Sequence, residues 1–185
     1  IDSLTDCEGN FSQNSSEVIL ANRNIAGSVI LNEILFNPNT GDEDFVELYN
    51  NSDKFLDIAD LIISNTTRTS GRDKNVENSF ILKPGEYVVL TPAPFFTLLN
   101  YTIENPDFLI ENDLPAVNIS DGNVSIFTSD GLDTVMIDSF DYNNDFHFPF
   151  LDETKGISLE RISFDAPTQN SSNWHSASTI SGGGT

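Results

Sequence analysis

The chain has 185 residues, of which 29 are acidic and 8 basic, giving a formal net charge of −21. A surface of that sign repels phosphate backbones and anionic lipid, so nucleic acid and direct membrane insertion are set aside as partners. The single cysteine, Cys7, leaves no internal disulfide framework and no multi-cysteine zinc site, and no apolar run reaches membrane-spanning length.

Residues 1–28 are polar and irregular apart from Val18-Ile19-Leu20, and Asp6-Cys7-Glu8-Gly9-Asn10 has the composition of a turn. They read as a linker or the C-terminal remnant of a preceding β module. At Val29 the composition changes, and a domain over 29–177 begins. The segment 178–185, ending Ser181-Gly182-Gly183-Gly184-Thr185, reads as a linker. A chain that starts on Ile1 and ends on such a run is expected to be a piece of a longer exported protein, its signal peptide upstream.

Within 29–177 short β-rich runs alternate with turn signals. Val29 to Phe36 ends at Asn37-Pro38-Asn39-Thr40-Gly41, and Phe45 to Tyr49 ends at Asn50-Asn51-Ser52-Asp53. Leu61-Ile62-Ile63 is brief. Phe80-Ile81-Leu82 and Tyr87 to Leu90 flank Lys83-Pro84-Gly85-Glu86, where Pro and Gly fit a type II turn and a hairpin is expected. Pro94 to Tyr101 predicts a short helix with Phe95, Leu98 and Leu99 on one face. Val124 to Phe127 and Val135 to Ile137 flank Ser129-Asp130-Gly131 as a second hairpin, and Ile157 to Ile162 is a late strand. Short strands, frequent turns and no long helical period predict an all-β sandwich.

The chemistry-bearing residues are sparse. His147 sits in an aromatic setting, and neither it nor His175 lies near a nucleophile motif. Glu33 and Glu47 fall on neighbouring predicted strands, and a facing carboxylate pair is what a hydrolase uses. The structural reading pairs Glu47 with Arg161 instead, as an ion pair that fixes strand register. Trp174, the lone tryptophan, reads as a core or lid residue, the other reading being a sugar-stacking surface. Asp42, Glu43 and Asp44 are candidate metal ligands for Ca²⁺, with Asp121-Gly122-Asn123 and Asp141 to Asp145 as further oxygen-rich loops, although none has EF-hand spacing. No other cofactor is expected.

Three segments together resemble the lamin tail domain family. Val29-Ile30-Leu31-Asn32-Glu33-Ile34-Leu35-Phe36-Asn37-Pro38 is followed by Asp44-Phe45-Val46-Glu47-Leu48-Tyr49-Asn50. Phe80 to Leu90 looks like that family's hairpin, and Gly156 to Ile162 with Ser172-Asn173-Trp174-His175 like its closing strand. The Asn-Pro, His147-Phe148-Pro149 and Trp174-His175 forms look like the bacterial, surface-secreted branch. The resemblance covers roughly residues 29–177 and implies an immunoglobulin-like β-sandwich of mainly antiparallel strands with at most one or two short helices. It implies a non-catalytic accessory module of a larger exported bacterial protein. Such a module positions neighbouring domains of the same polypeptide, or binds an extracellular protein or glycan at the cell surface. A calcium-stabilised adhesin-like domain and a carboxylate-based hydrolase are the alternatives.

Overall fold

The computed structural model describes residues 2–5, 11–14, 20–103, 105–129 and 132–177. Residues 6–10 and 178–185, read above as a turn and a linker, lie outside the described residues, as does Cys7. In chain order the strands are β1 (Asp2–Thr5), β2 (Phe11–Asn14), β3 (Val29–Leu35), β4 (Phe45–Asn50), β5 (Leu56–Asp57), β6 (Leu61–Ser64) and β7 (Asp73–Asn75). There follow β8 (Ile81–Leu82), β9 (Tyr87–Thr91), helix α1 (Pro94–Asn100), β10 (Leu109–Glu111), β11 (Asp121–Ser129), β12 (Thr134–Asn143), β13 (Leu159–Arg161) and β14 (Trp174–Ser176).

The architecture is two packed sheets. A six-stranded sheet has the order β10-β9-β4-β3-β13-β14, and a four-stranded sheet the order β12-β11-β6-β7. β5 and β8 form a small ribbon, and β1 and β2 pair with Asp2 opposite Asn14. Among the described residues the strand pairings are antiparallel except β9 with β10, and Asn22 makes an isolated parallel bridge to Leu56. The core between the sheets contains Leu31, Ile34, Phe36, Leu48, Val88 and Leu159 from one side and Ile63, Val124, Ile126 and Phe140 from the other. Trp174 of β14 stacks on Phe140 of β12 with ring centroids 3.9 Å apart, joining the two sheets.

One irregularity decides what the outer face of the six-stranded sheet carries. In β3, Leu31 opposes Leu48 and Glu33 opposes Glu47, so Asn32 is an extra residue on its strand, a β-bulge. Strand side chains alternate between faces, and one inserted residue reverses the alternation. Val29 and Leu31 point into the core before the bulge, and Ile34 and Phe36 after it. Glu33 and Leu35 are thereby turned to the outer face, where Leu35, Phe45, Tyr101 and Val89 form a separate apolar cluster.

One sequence expectation needs correction here. Lys83 to Glu86 does form the turn, with Gly85 at φ 77° and the Glu86 N–H donating to the Lys83 carbonyl at 3.1 Å. Its flanking strands do not pair with each other: β8 pairs with β5 and β9 with β4. A type II turn splays its strands, so it serves as a crossover between sheets rather than a hairpin. The second hairpin, β11 with β12, is present, with a bulge at Ile126/Phe127. The helix α1 forms where expected, with Phe95, Phe96, Leu98 and Leu99 all exposed and Thr97 as its buried residue. Polar contacts dock it: Thr97 Oγ1 lies 3.4 Å from Thr91 Oγ1, and Asn100 Nδ2 donates to Asp42 at 3.2 Å.

Candidate functional site

Across the outer face of the six-stranded sheet runs a row of glutamates. Glu160 on β13 opposes Glu33 on β3, which opposes Glu47 on β4, which opposes Val89 on β9. Glu33 and Glu47 are buried, and Glu160 is half-buried with His175 Nε2 3.8 Å from it. To one side of the row lies the Leu35, Phe45, Tyr101 and Val89 cluster. To the other lie Tyr49, Tyr87 and Phe164, where Tyr49 and Phe164 stack with centroids 4.0 Å apart. The carboxyls are therefore held between two apolar groups.

Their electrostatics follow from this placement. Burial, and then the adjoining Glu47 charge, hold the Glu33 carboxyl well above the ordinary range, and the hydroxyl of Ser158 donates to it. Burial pushes Glu47 up to about 7, opposed by the hydrogen bond from Asn32 Nδ2 (2.7 Å) and reinforced by the charge of Glu160. A group near 7 changes charge within the physiological range. Glu47 also borders a cavity of about 280 Å³ whose other walls include Tyr87, Val89, Ile103, Asn105 and Phe108.

The Glu47–Arg161 pair expected from sequence does not exist. Leu159 points into the core, so by alternation Glu160 faces outward and Arg161 inward, away from Glu47. Arg161 is buried between the sheets, where its guanidinium reaches Asp138 Oδ2 (3.4 Å), Thr168 Oγ1 (2.5 Å) and the Leu31 carbonyl (2.7 Å). It also lies 5.3 Å from the Trp174 ring centroid. Asp138 on β12 accepts from the Leu31 N–H at 2.9 Å and from Thr168 at 2.6 Å, so this network ties the two sheets together. Trp174 is buried and its Nε1–H donates to the Thr168 carbonyl at 2.8 Å.

The acidic segment before β4 is engaged with itself and with α1. Asp42 accepts from the Glu43 N–H (2.9 Å) and from Asn100 (3.2 Å). Burial, with the charges of Glu43 and Asp42, raises Asp44 to about 7. Among the described residues no group of three or more His, Cys, Asp or Glu side chains is placed to hold a metal ion. The oxygen-rich segment Asp121 to Asn123, expected as a loop, is the start of β11, where Asn123 donates to Asp141 of β12 at 2.7 Å and accepts from Thr66 at 2.8 Å, an internal bracing of the four-stranded sheet. His147 is buried with Nδ1 2.9 Å from Ser176 Oγ, and burial pushes it down to about 4.

Sequence reasoning missed Asp138, Asn32 and Glu160. The inward position of Arg161 was readable from the alternation of Leu159-Glu160-Arg161. The bulge at Asn32 was readable only from the apolar pattern of β3, which shifts from 29 and 31 to 34 and 36. The cavity has no local sequence signal, since its walls come from β4, β9 and the segment after α1.

A model of one protein family, described as the Lamin Tail Domain, matches residues 22–144, more than half of the chain. No curated protein matches it.

Proposed function

We propose a function from one premise: the chain belongs to the lamin tail domain family, a family of non-enzymatic immunoglobulin-like domains. The domain serves as an accessory module of a larger exported bacterial protein. It holds neighbouring domains of the same polypeptide in position and binds a protein partner at the cell surface. The observation that supports binding is α1. Its seven residues leave Phe95 66%, Phe96 44%, Leu98 42% and Leu99 66% exposed. Contiguous large apolar side chains in water mark a contact surface. A net charge of −21 argues against an anionic lipid surface as the cover. Short elements projecting from a rigid sandwich are where such domains carry their contacts.

The test places a photo-cross-linking amino acid at Leu99 of the full-length protein in its native cells, with Thr134 on β12 as the control position. A discrete protein adduct from position 99 alone, on molecules that a membrane-impermeant biotin reagent also labels, is the expected result. An absence of adducts at 99, or protein wholly shielded from the reagent, overturns the reading. An adduct to polysaccharide in place of protein overturns the choice of partner class.

A further inference from the structure

We propose that the cavity beside Glu47 receives the cationic head of a lysine or arginine side chain presented by the protein partner. The inference rests on the protein-binding reading and adds what the partner must carry. The cavity holds about 280 Å³. Glu47, on its border, is 2% exposed, and among the described residues its one hydrogen bond is the one from Asn32 at 2.7 Å. That bond occupies Oε1 and leaves Oε2 for an occupant. A buried carboxylate short of partners is costly, and an entering cation with N–H donors supplies what it lacks.

The walls match the rest of such a side chain. Val89 and Ile103 offer apolar surface for a methylene stem. Tyr87 and Phe108 offer aromatic rings suited to a cation. The second carboxylate on the border, Glu86, is already engaged by Lys83, through Nζ at 3.2 Å and the backbone N–H at 2.9 Å. An anionic ligand would meet both carboxylates, and an apolar one would offer nothing to Glu47 Oε2. The surrounding charge of −21 raises the local concentration of cations. Ile103 follows the end of α1 by three residues, so a segment lying along the exposed helix has the cavity within reach.

The titratable groups around Glu47 set a pH signature. Glu33 faces it from β3, Glu160 (with His175 beside it) from β13, Tyr87 from β9, and Tyr49 from its own strand, while Glu86 and Lys83 occupy the turn before β9. Because Glu47 ionises near 7, the cavity holds a cation more firmly at pH 8 than at pH 6.

The experiment titrates the ¹⁵N-labelled 185-residue chain with N-acetyl-lysine amide, with the uncharged N-acetyl-norleucine amide, and with putrescine. Saturable shifts of the Tyr87, Val88, Val89 and Ile103 amides with the lysine amide alone among the two amino-acid amides are expected. The affinity should fall about tenfold in Glu47→Gln, the loss of one charge-assisted contact, and should also fall from pH 8 to pH 6. Ile103→Trp, which fills the cavity from a loop and leaves every sheet residue unchanged, should abolish the shifts as a second variant. Equal shifts with norleucine amide, no saturable shift, or an affinity indifferent to Glu47→Gln would overturn the proposal. Putrescine binding more than about tenfold tighter than the blocked lysine would overturn the partner side chain in favour of a free diamine. A Leu99 adduct that forms while the cavity ignores cations sinks this assignment and leaves the protein-binding reading standing, whereas loss of the adduct sinks that reading first.

Discussion

Glu33 and Glu47 face each other as Cα partners on β3 and β4, 1% and 2% exposed. Like charges directly opposite on a sheet repel, and burial penalises both, so the protonated forms are favoured. The sign follows directly. Glu47 rises from an ordinary 4.5 to about 7, so its contribution to stability is complete below about 4.5 and lost as pH rises through 7. Asp44, raised to about 7, acts in the same sense. His147, pushed down to about 4, acts oppositely: its contribution is present above 6.5 and lost as pH falls through 4. Glu33, also raised, adds to Glu47 and Asp44, and together they outweigh His147 between pH 8 and 5, so the melting temperature should rise on acidification across that window. Glu47→Gln should raise stability at pH 8 by up to about 3 kcal/mol and flatten the curve. Calorimetry at pH 5, 6.5 and 8 checks this, and a wild-type melting temperature that is level or rises with pH refutes it.

Arg161 and Asp138 make a second testable pair. Arg161→Ala strands Asp138 between the sheets and also removes donors from the Leu31 and Ala166 carbonyls. Breaking a buried ion pair from one side costs on the order of 3–5 kcal/mol. Arg161→Met with Asp138→Leu removes both charges while keeping the volume apolar, and should recover much of that loss. Urea denaturation of the single and double variants gives the comparison. A double variant as unstable as the sum of the single ones would show that the pair is not the unit of stabilisation.

The fate of these residues marks how far the sequence could be read. The Val29 to Phe36 and Phe45 to Tyr49 strands were legible because apolar runs bounded by Asn-Pro-Asn and Asn-Asn-Ser leave little choice of element. The opposition of Glu33 and Glu47 followed from strand adjacency. The partner of Arg161 did not, since Asp138 stands 23 residues away on the other sheet and any of 29 carboxylates was eligible. The shared face of Phe95, Leu98 and Leu99 on α1 was legible in the apolar spacing, but its exposure was not, because polar contacts at Thr97 and Asn100 anchor the helix by its other side.

Gly122 tests a close approach. A Cβ there would collide with the ring and hydroxyl of Tyr142, its cross-strand partner. Tyr142 has little room to yield, because its hydroxyl donates to the Asn118 carbonyl (2.8 Å) and accepts from the Asn118 N–H (2.9 Å), and its ring stacks on Phe36 at 4.4 Å. Gly122→Ala should cost about 1–3 kcal/mol, as overpacking does. Gly122→Ala with Tyr142→Phe removes the hydroxyl at the point of collision and should be less destabilised than the sum of its single changes. Thermal melts of the three variants form the cycle, and strict additivity would contradict the contact.

Asn32 joins the bulge to the carboxylate it serves. Asn32→Ala keeps the extra residue, so Glu33 stays on the outer face, but Glu47 loses the hydrogen bond it accepts at 2.7 Å. A hydrogen bond to a charged group is worth about 1.5–3 kcal/mol, and one to the neutral acid nearer 1. The penalty should therefore be larger at pH 8, where Glu47 is ionised, than at pH 5, where it is protonated. Loss of the donor also removes the one influence that holds Glu47 down, so its midpoint should move above 7. Deleting Asn32 does something different: it makes Leu31 and Glu33 consecutive opposite Leu48 and Glu47, so the ladder becomes regular with Glu33 still on the outer face, and it removes the bulge together with the donor. Paired melts of the substitution and the deletion at both pH values separate the two roles. A substitution penalty independent of pH would mean that Asn32 acts on the backbone alone.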